Sequence, residues 1–210
     1  MNLSRLKQAE AAFLHRYPGG FDNPELVAIR VKKHKPDQMI ALARESFAPD
    51  NFNRPERIVQ HMVKVIGRSS ITSVFEKAKF KNFATSLSPD EREFLSSSLH
   101  QLLHDNEQTG FEMMLDLLKS RKQAKWTLMT VCQTYFHPQR DVFIKPTTVK
   151  GVIQFFELEN LQYKPTPSWV FYRDYRTAFH EMKSKLDPSL SPTNLAFSGF
   201  LWMTIRGEYL

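Results

Sequence analysis

The chain has a single cysteine, Cys132, among 210 residues. That excludes an internal disulfide and a four-cysteine zinc site. Cys132 falls among Leu128, Met129, Val131 and Phe136, on the apolar face of a helical run. This is the setting of a buried small hydrophobe, whereas a nucleophilic thiol needs an electropositive, partly open one. Glycine is scarce, at 7 residues, which leaves little flexible linker and no glycine-rich phosphate loop. No apolar run approaches the roughly 20 residues that span a bilayer. The opening MNLSRLKQAEAAFLHRY has no continuous apolar core and no small-residue cleavage site, so it does not read as a secretory signal. Gly-x-Ser-x-Gly, P-loop, dinucleotide-binding and His-Glu-x-x-His signatures are missing. The expectation is a cytoplasmic protein with no membrane partner, no cofactor and no recognisable catalytic residue.

Phenylalanine is plentiful, at 17 residues, and large aromatic side chains supply much of a core. The chain is long enough to bury a substantial one. The net charge is +7 and is unevenly placed. Residues 1–88 carry 15 Lys and Arg against 8 Asp and Glu, while residues 89–210 carry 14 of each sign. A basic half of this kind favours polyanions or acidic partners.

Proline marks helix starts and stays out of the periodic runs. Asn23-Pro24-Glu25, Arg54-Pro55-Glu56, Ser88-Pro89-Asp90 and Ser191-Pro192-Thr193 each open a helical pattern. Proline lacks an N–H that the first turn would leave unpaired, and an acid there suits the helix dipole. Ser88 and Glu91 have capping-box spacing. Helices are expected over about 3–17, 24–34, 36–47, 55–66, 70–87, 89–105, 110–119, 126–136, from Lys145-Pro146 to about 156, 168–186, and from Ser191-Pro192 to about 205. Val27, Ile29 and Val31 alternate like a strand, but the Asn-Pro-Glu opening favours a helix. The fold class is therefore all-α: one helical bundle of about eight to ten helices. A weak boundary at DNEQTG, residues 105–110, separates a basic lobe (1–105) from a neutral one (110–210). The stretch Trp126–Phe156 organises the second half, with a helix, a turn at His137-Pro138, an extended piece Val142-Phe143-Ile144 and a second helix.

Three places carry candidate binding residues. In the helix from Pro55, Arg57, His61, Lys64 and Arg68 line one side, opposite Ile58, Val59, Met62, Val63, Val65 and Ile66. The next helix adds Lys77 and Lys81 on one stripe. These two basic ridges suit phosphate tracking, although charged ridges are most often solvated faces. At the helix start Lys145-Pro146-Thr147-Thr148, free N–H groups, two hydroxyls, Lys145 and Lys150 suit an anion; the ordinary alternative is that Thr147 and Thr148 cap the helix. In the helix from Ser168, Trp169, Arg173, Arg176, His180 and Lys183 share the side opposite the apolar arc, a combination that stacks on bases and pairs phosphates, or packs as cation–π contacts between helices.

Other motifs carry less. His100 and His104 lie one turn apart on the outer face of the 89–105 helix, whose inward face is read as Phe94, Leu95, Leu99, Leu102 and Leu103. Two histidines at i and i+4 can chelate a metal, but Glu93 is too distant to join them. Glu181 and Lys183 have nuclease-like spacing, yet on a helix they point apart.

Trp126, Phe143-Ile144-Lys145-Pro146-Thr147, Tyr163-Lys164-Pro165-Thr166-Pro167-Ser168-Trp169 with Tyr172, and Phe200-Leu201-Trp202 together resemble a pattern recurring in uncharacterised bacterial proteins. The resemblance covers roughly residues 126–203. It implies a bacterial, cytoplasmic module and assigns no catalytic residue. Three function classes stay open: a non-catalytic module binding nucleic acid or another polyanion, an acidic protein among them, through its basic faces, a protein–protein or homo-oligomeric module using aromatic groups near Phe197–Trp202, and an enzyme whose site forms only in three dimensions.

Overall fold

A computed structural model describes residues 1–209. Among them are eleven α-helices: α1 (Leu3–Arg16), α2 (Pro24–Ile29), α3 (Pro36–Ser46), α4 (Pro55–Arg68), α5 (Val74–Ser86), α6 (Pro89–His104), α7 (Glu107–Ser120), α8 (Trp126–Phe136), α9 (Pro146–Phe155), α10 (Trp169–Ser184) and α11 (Asn194–Ile205). No strand occurs among the described residues, and no helix is long and apolar enough to cross a membrane. The fold is all-α, with one helix more than the upper expectation.

The proline signals work locally as expected. Pro24, Pro36, Pro55, Pro89 and Pro146 each occupy a first helical turn. At α6 the capping box is complete: Ser88 Oγ accepts from the Glu91 N–H at 3.2 Å, and Glu91 accepts from the Ser88 N–H at 2.9 Å. The chain between α2 and α3 is not a strand. It continues as a π-helical turn, Arg30–His34, and ends at Lys35 in the left-handed region, φ 44°.

Four local expectations are corrected. α5 begins at Val74 rather than Ser70, because Ser73 provides its cap. α11 is capped by Thr193, whose hydroxyl accepts from the Ala196 N–H at 3.1 Å, rather than by Ser191. Lys145 stands at the cap position of α9 without a side-chain bond, so neither Thr147 nor Thr148 caps it. Phe94 faces outward, and Ser98 takes an inward place on α6, satisfied by donating to the Phe94 carbonyl at 2.6 Å.

α8 is the central rod, and every residue from Trp126 to Tyr135 is buried. A helix covered all round needs a place for its polar groups. Thr130 and Thr134 donate back to the carbonyls four residues earlier, at 2.9 and 2.7 Å. Thr130 Oγ1 also accepts from the Ile144 N–H at 3.0 Å, so the extended 142–144 piece is held by a side chain rather than a ladder. Trp126 donates its indole N–H to the Lys164 carbonyl at 2.8 Å and pins the loop before α10. Phe171 packs against Trp126 at 5.3 Å between centroids, and Phe111 stacks on Tyr172 at 5.5 Å. These contacts explain the aromatic pattern along residues 126–172 as packing.

Around α8, α6 and α7 form a tight hairpin, α4 lies against α5 and α6, and α3 against α8. Gly110 of α7 fits directly onto the α6 backbone: a Cβ there would lie 2.1 Å from the Leu102 nitrogen. α9 packs on α11, and α11 on α1.

Candidate nucleic-acid interface

α5 is lightly embedded, with only Phe80, Phe83 and Ala84 buried in its 13 residues. Those positions form a narrow arc, so Lys79 and Lys81 fan out over the remaining circumference, with Lys77 half-buried at the edge of the arc. Ser73 and Glu76 make a reciprocal capping box at 3.0 and 3.2 Å. Glu76 also accepts the Thr127 hydroxyl from the start of α8. Burial works to raise its pKa, but the bonds from Thr127 and Ser73, with Lys125 nearby, outweigh that and lower it. The acid heading α5 is thus occupied by its cap and by α8.

The connector between α7 and α8 lies beside this helix. Arg121 Nε donates to Glu91 at 2.8 Å, and Lys122 takes a left-handed conformation, φ 55°. Between connector and α5 runs a groove of about 440 Å³, lined by Lys79, Asn82, Phe83 and Ser86 on one side and Arg121 and Gln123 on the other.

The π-helical turn adds a third cationic piece. None of Arg30–His34 is buried. His34 Nδ1 lies 2.8 Å from Ser70 Oγ, which docks the turn onto the linker leading into α5. Lys32, Lys33 and Lys35 are exposed. On α4, Arg57, Lys64 and Arg68 are exposed as well. Among the described residues, no carboxylate oxygen lies within 4.0 Å of the charged nitrogens of Lys32, Lys33, Lys35, Arg57, Lys64, Arg68, Lys77, Lys79, Lys81, Lys122 or Lys125. These cations have no direct ion-pair partner, although Lys125 lies near enough to Glu76 to help lower its pKa and Arg121 beside them is paired with Glu91.

The other sequence candidates are placed differently. His61 turns inward on α4, with Nδ1 2.7 Å from the Ser46 carbonyl. Lys145, Thr147 and Lys150 are exposed, Thr148 is buried, and Lys150 Nζ sits 5.2 Å above the Tyr163 ring. Thr147 and Thr148 do line a groove of about 530 Å³ with Trp202 and Arg206. Its two arginines are already paired, Arg5 with Glu157 at 2.9 Å and Arg206 with Glu208 at 3.1 Å.

The α10 stripe is not a free surface. Trp169 is buried, and the Arg176 guanidinium lies 5.7 Å from its ring and 5.3 Å from that of Tyr172. Arg176 bridges Glu107 at 2.7 Å and Asp141 at 3.0 Å. His180 Nε2–H donates to the Arg140 carbonyl at 2.8 Å. Lys183 donates to Gln139 at 2.8 Å and Asn194 at 2.9 Å. Arg173 is exposed and bonds Asp174 at 2.8 Å. The aromatic groups near Phe197 are also core: Phe197 and Phe200 are buried, leaving Trp202 exposed. His104 donates to the Phe47 carbonyl at 2.9 Å, and His100 pairs with Asp105 at 3.0 Å.

The sequence candidates do not include Lys79, Arg121, Lys122, Lys125 or the 30–35 turn, although the run 120–125 reads as a basic connector or a helical continuation. The runs Val-Lys-Lys-His-Lys and Arg-Lys-Gln-Ala-Lys were the available signal. The fold is an all-α scaffold, and the lysines of its lightly embedded α5 and of the flanking connectors have no ion-pair partner among the described residues. No family model, no curated protein and no solved structure matches the chain.

Proposed function

We propose that this protein is a non-catalytic module that binds nucleic acid through the cationic face of α4, α5, the 30–35 turn and the 121–125 connector. The observation that carries the reading is the freedom of these side chains. Lys77, Lys79, Lys81, Lys122 and Lys125 come from two segments that share one groove, and none is paired with an acid. Unpaired cations attract a phosphate backbone by releasing its counterions, whereas paired ones gain little. The α10 candidates contribute less, because Arg173, Arg176, His180 and Lys183 already serve internal partners, whereas Lys145 and Lys150 at α9 have no acid partner and stand apart from this groove.

Fluorescence anisotropy with labelled oligonucleotides tests this. Binding is expected at about 50 mM salt, with log affinity falling by about 0.7–0.9 per log salt for each phosphate neutralised. Lys79→Glu with Lys81→Glu and Lys122→Glu should weaken binding at least about tenfold, while Arg173→Glu should leave it unchanged. No binding at about 50 mM salt, or equal binding by the triple variant, would overturn the reading. Saturable binding of an acidic protein instead of an oligonucleotide would replace it with a protein-docking role.

A further inference from the structure

Val74 and Phe75 are the two most exposed large apolar side chains among the described residues, at 77% and 80% of their full accessible surface. They begin the same helix that carries the lysine fan. A phenylalanine left this open gains nothing for the core, so its exposure calls for a partner with an apolar face. The positions decide which partner. Phe75, Lys79 and Asn82 follow one another at i, i+4 and i+7, one stripe along α5. The stripe runs from the open ring into the groove where Lys79 and Asn82 face Arg121 and Gln123. At about 1.5 Å per residue it extends roughly 10 Å from Phe75 to Asn82.

Resting on the nucleic-acid reading above, we propose that the occupant is single-stranded: one base stacks on Phe75, and the following nucleotide enters the groove. There Lys79 meets the phosphate, and Asn82 and Gln123 offer amide donors and acceptors to the base edge. A duplex keeps its bases stacked on one another and offers Phe75 no π-face, whereas every unpaired base does. The groove's volume, about 440 Å³, is that of a small-molecule site and accommodates one nucleotide. A second copy of this chain is disfavoured as the occupant, because the lysines around Phe75 would oppose lysines.

The test compares anisotropy of a labelled 20-mer of deoxythymidine with a labelled hairpin duplex of equal charge, for wild type, Phe75→Ala, Phe75→Leu and Phe75→Trp. Expected is a preference for the single strand, a loss of about fivefold or more with Phe75→Ala, and nearly the same loss with Phe75→Leu, which keeps apolar area without a ring. Phe75→Trp should retain affinity and show quenched emission on binding. Because the side chain is exposed, an unchanged melting temperature will show that each variant is folded. If both ligands bind and the Phe75 variants bind the single strand like wild type, the stacking inference fails and the electrostatic reading stands. If neither ligand binds, both fail. If light scattering shows a dimer that Phe75→Ala dissociates, with oligonucleotide affinity unchanged, the patch is a self-association surface and the inference is overturned.

Discussion

Asp141→Asn should destabilise the protein more than any other single change in the loop between α8 and α9. The carboxylate is almost wholly buried, at 1% exposure. One oxygen accepts from the Tyr172 hydroxyl at 2.9 Å and from Arg176 at 3.0 Å, and the other from Arg140 Nη2 at 2.9 Å and Nε at 3.2 Å. Its own carbonyl accepts from Asn194 Nδ2 at 3.1 Å. The site therefore joins the 137–145 loop to α7, α10 and the start of α11. An isosteric amide keeps the volume but turns an N–H₂ toward guanidinium groups and removes the charge. Breaking a buried pair by deleting one partner costs about 3–5 kcal/mol. Both arginines keep Glu107 and Arg140 reaches solvent, so the lower end applies, about 3 kcal/mol. For a chain of this size that shifts the midpoint down by about 6–12 °C. Tyr172→Phe removes two bonds, the one its hydroxyl donates to Asp141 and the one it accepts from the buried Val142 N–H at 3.3 Å, and should still cost somewhat less, about 1.5–3 kcal/mol. Thermal unfolding followed by far-ultraviolet circular dichroism measures both, and a double-mutant cycle measures their coupling. A midpoint for Asp141→Asn within about 2 °C of wild type, or Tyr172→Phe proving the costlier change, would refute the argument.

Other consequences are direct. Burial lowers the pKa of His104, aided by the charges of His100 and His137, and burial with Arg140 lowers that of His137; both exceed the opposing carbonyl bonds. Each binds its proton less readily folded than unfolded, so their contribution to stability is present above the ordinary value of 6.5 and is lost as pH falls below it. Melting at pH 7.5 and 5.5 should show the decline, and His104→Gln with His137→Gln, whose amides can still donate to the carbonyls, should reduce it to the part that His34, also lowered by burial, contributes. Gly110→Ala should cost more than the usual overpacking penalty of about 1–3 kcal/mol, because its Cβ would meet the α6 backbone rather than a movable side chain; urea midpoints check this, and a change under about 0.5 kcal/mol would contradict the tight crossing. Burial pushes the Cys132 thiol up to about 12, so a thiol reagent at pH 8 should label it only after denaturation.

The helix starts were legible because their causes are local. Ser88 and Glu91 satisfy each other within four residues, and Pro55 or Pro146 fixes its own backbone angle. The free or bound state of a charge is not local. On a helical wheel, Arg176 and His180 stand away from the apolar arc of α10 and read as surface. Their partners, Glu107, Asp141 and the Arg140 carbonyl, come from segments 69, 35 and 40 positions away, and the wheel gives an angle rather than a neighbour. Trp169 was misplaced for the same reason: it lies off the apolar stripe, yet Phe111 and Tyr172 bury it.

Phe75 is the converse case. In a chain with 17 phenylalanines, a phenylalanine beside Val74 reads as core, and only the placement of Ser73 as cap and Phe80, Phe83 and Ala84 as the buried arc turns it outward. Lys79 stands off the stripe that Lys77 and Lys81 share at i, i+4. The groove needs residues 121–123 to return beside α5, and the ties that bring them there, Arg121 to Glu91 and Thr127 to Glu76, span 30 and 51 residues. Composition located the excess charge in residues 1–88, but one side of the groove is formed by Arg121 and Gln123, in the half of the chain that is neutral overall.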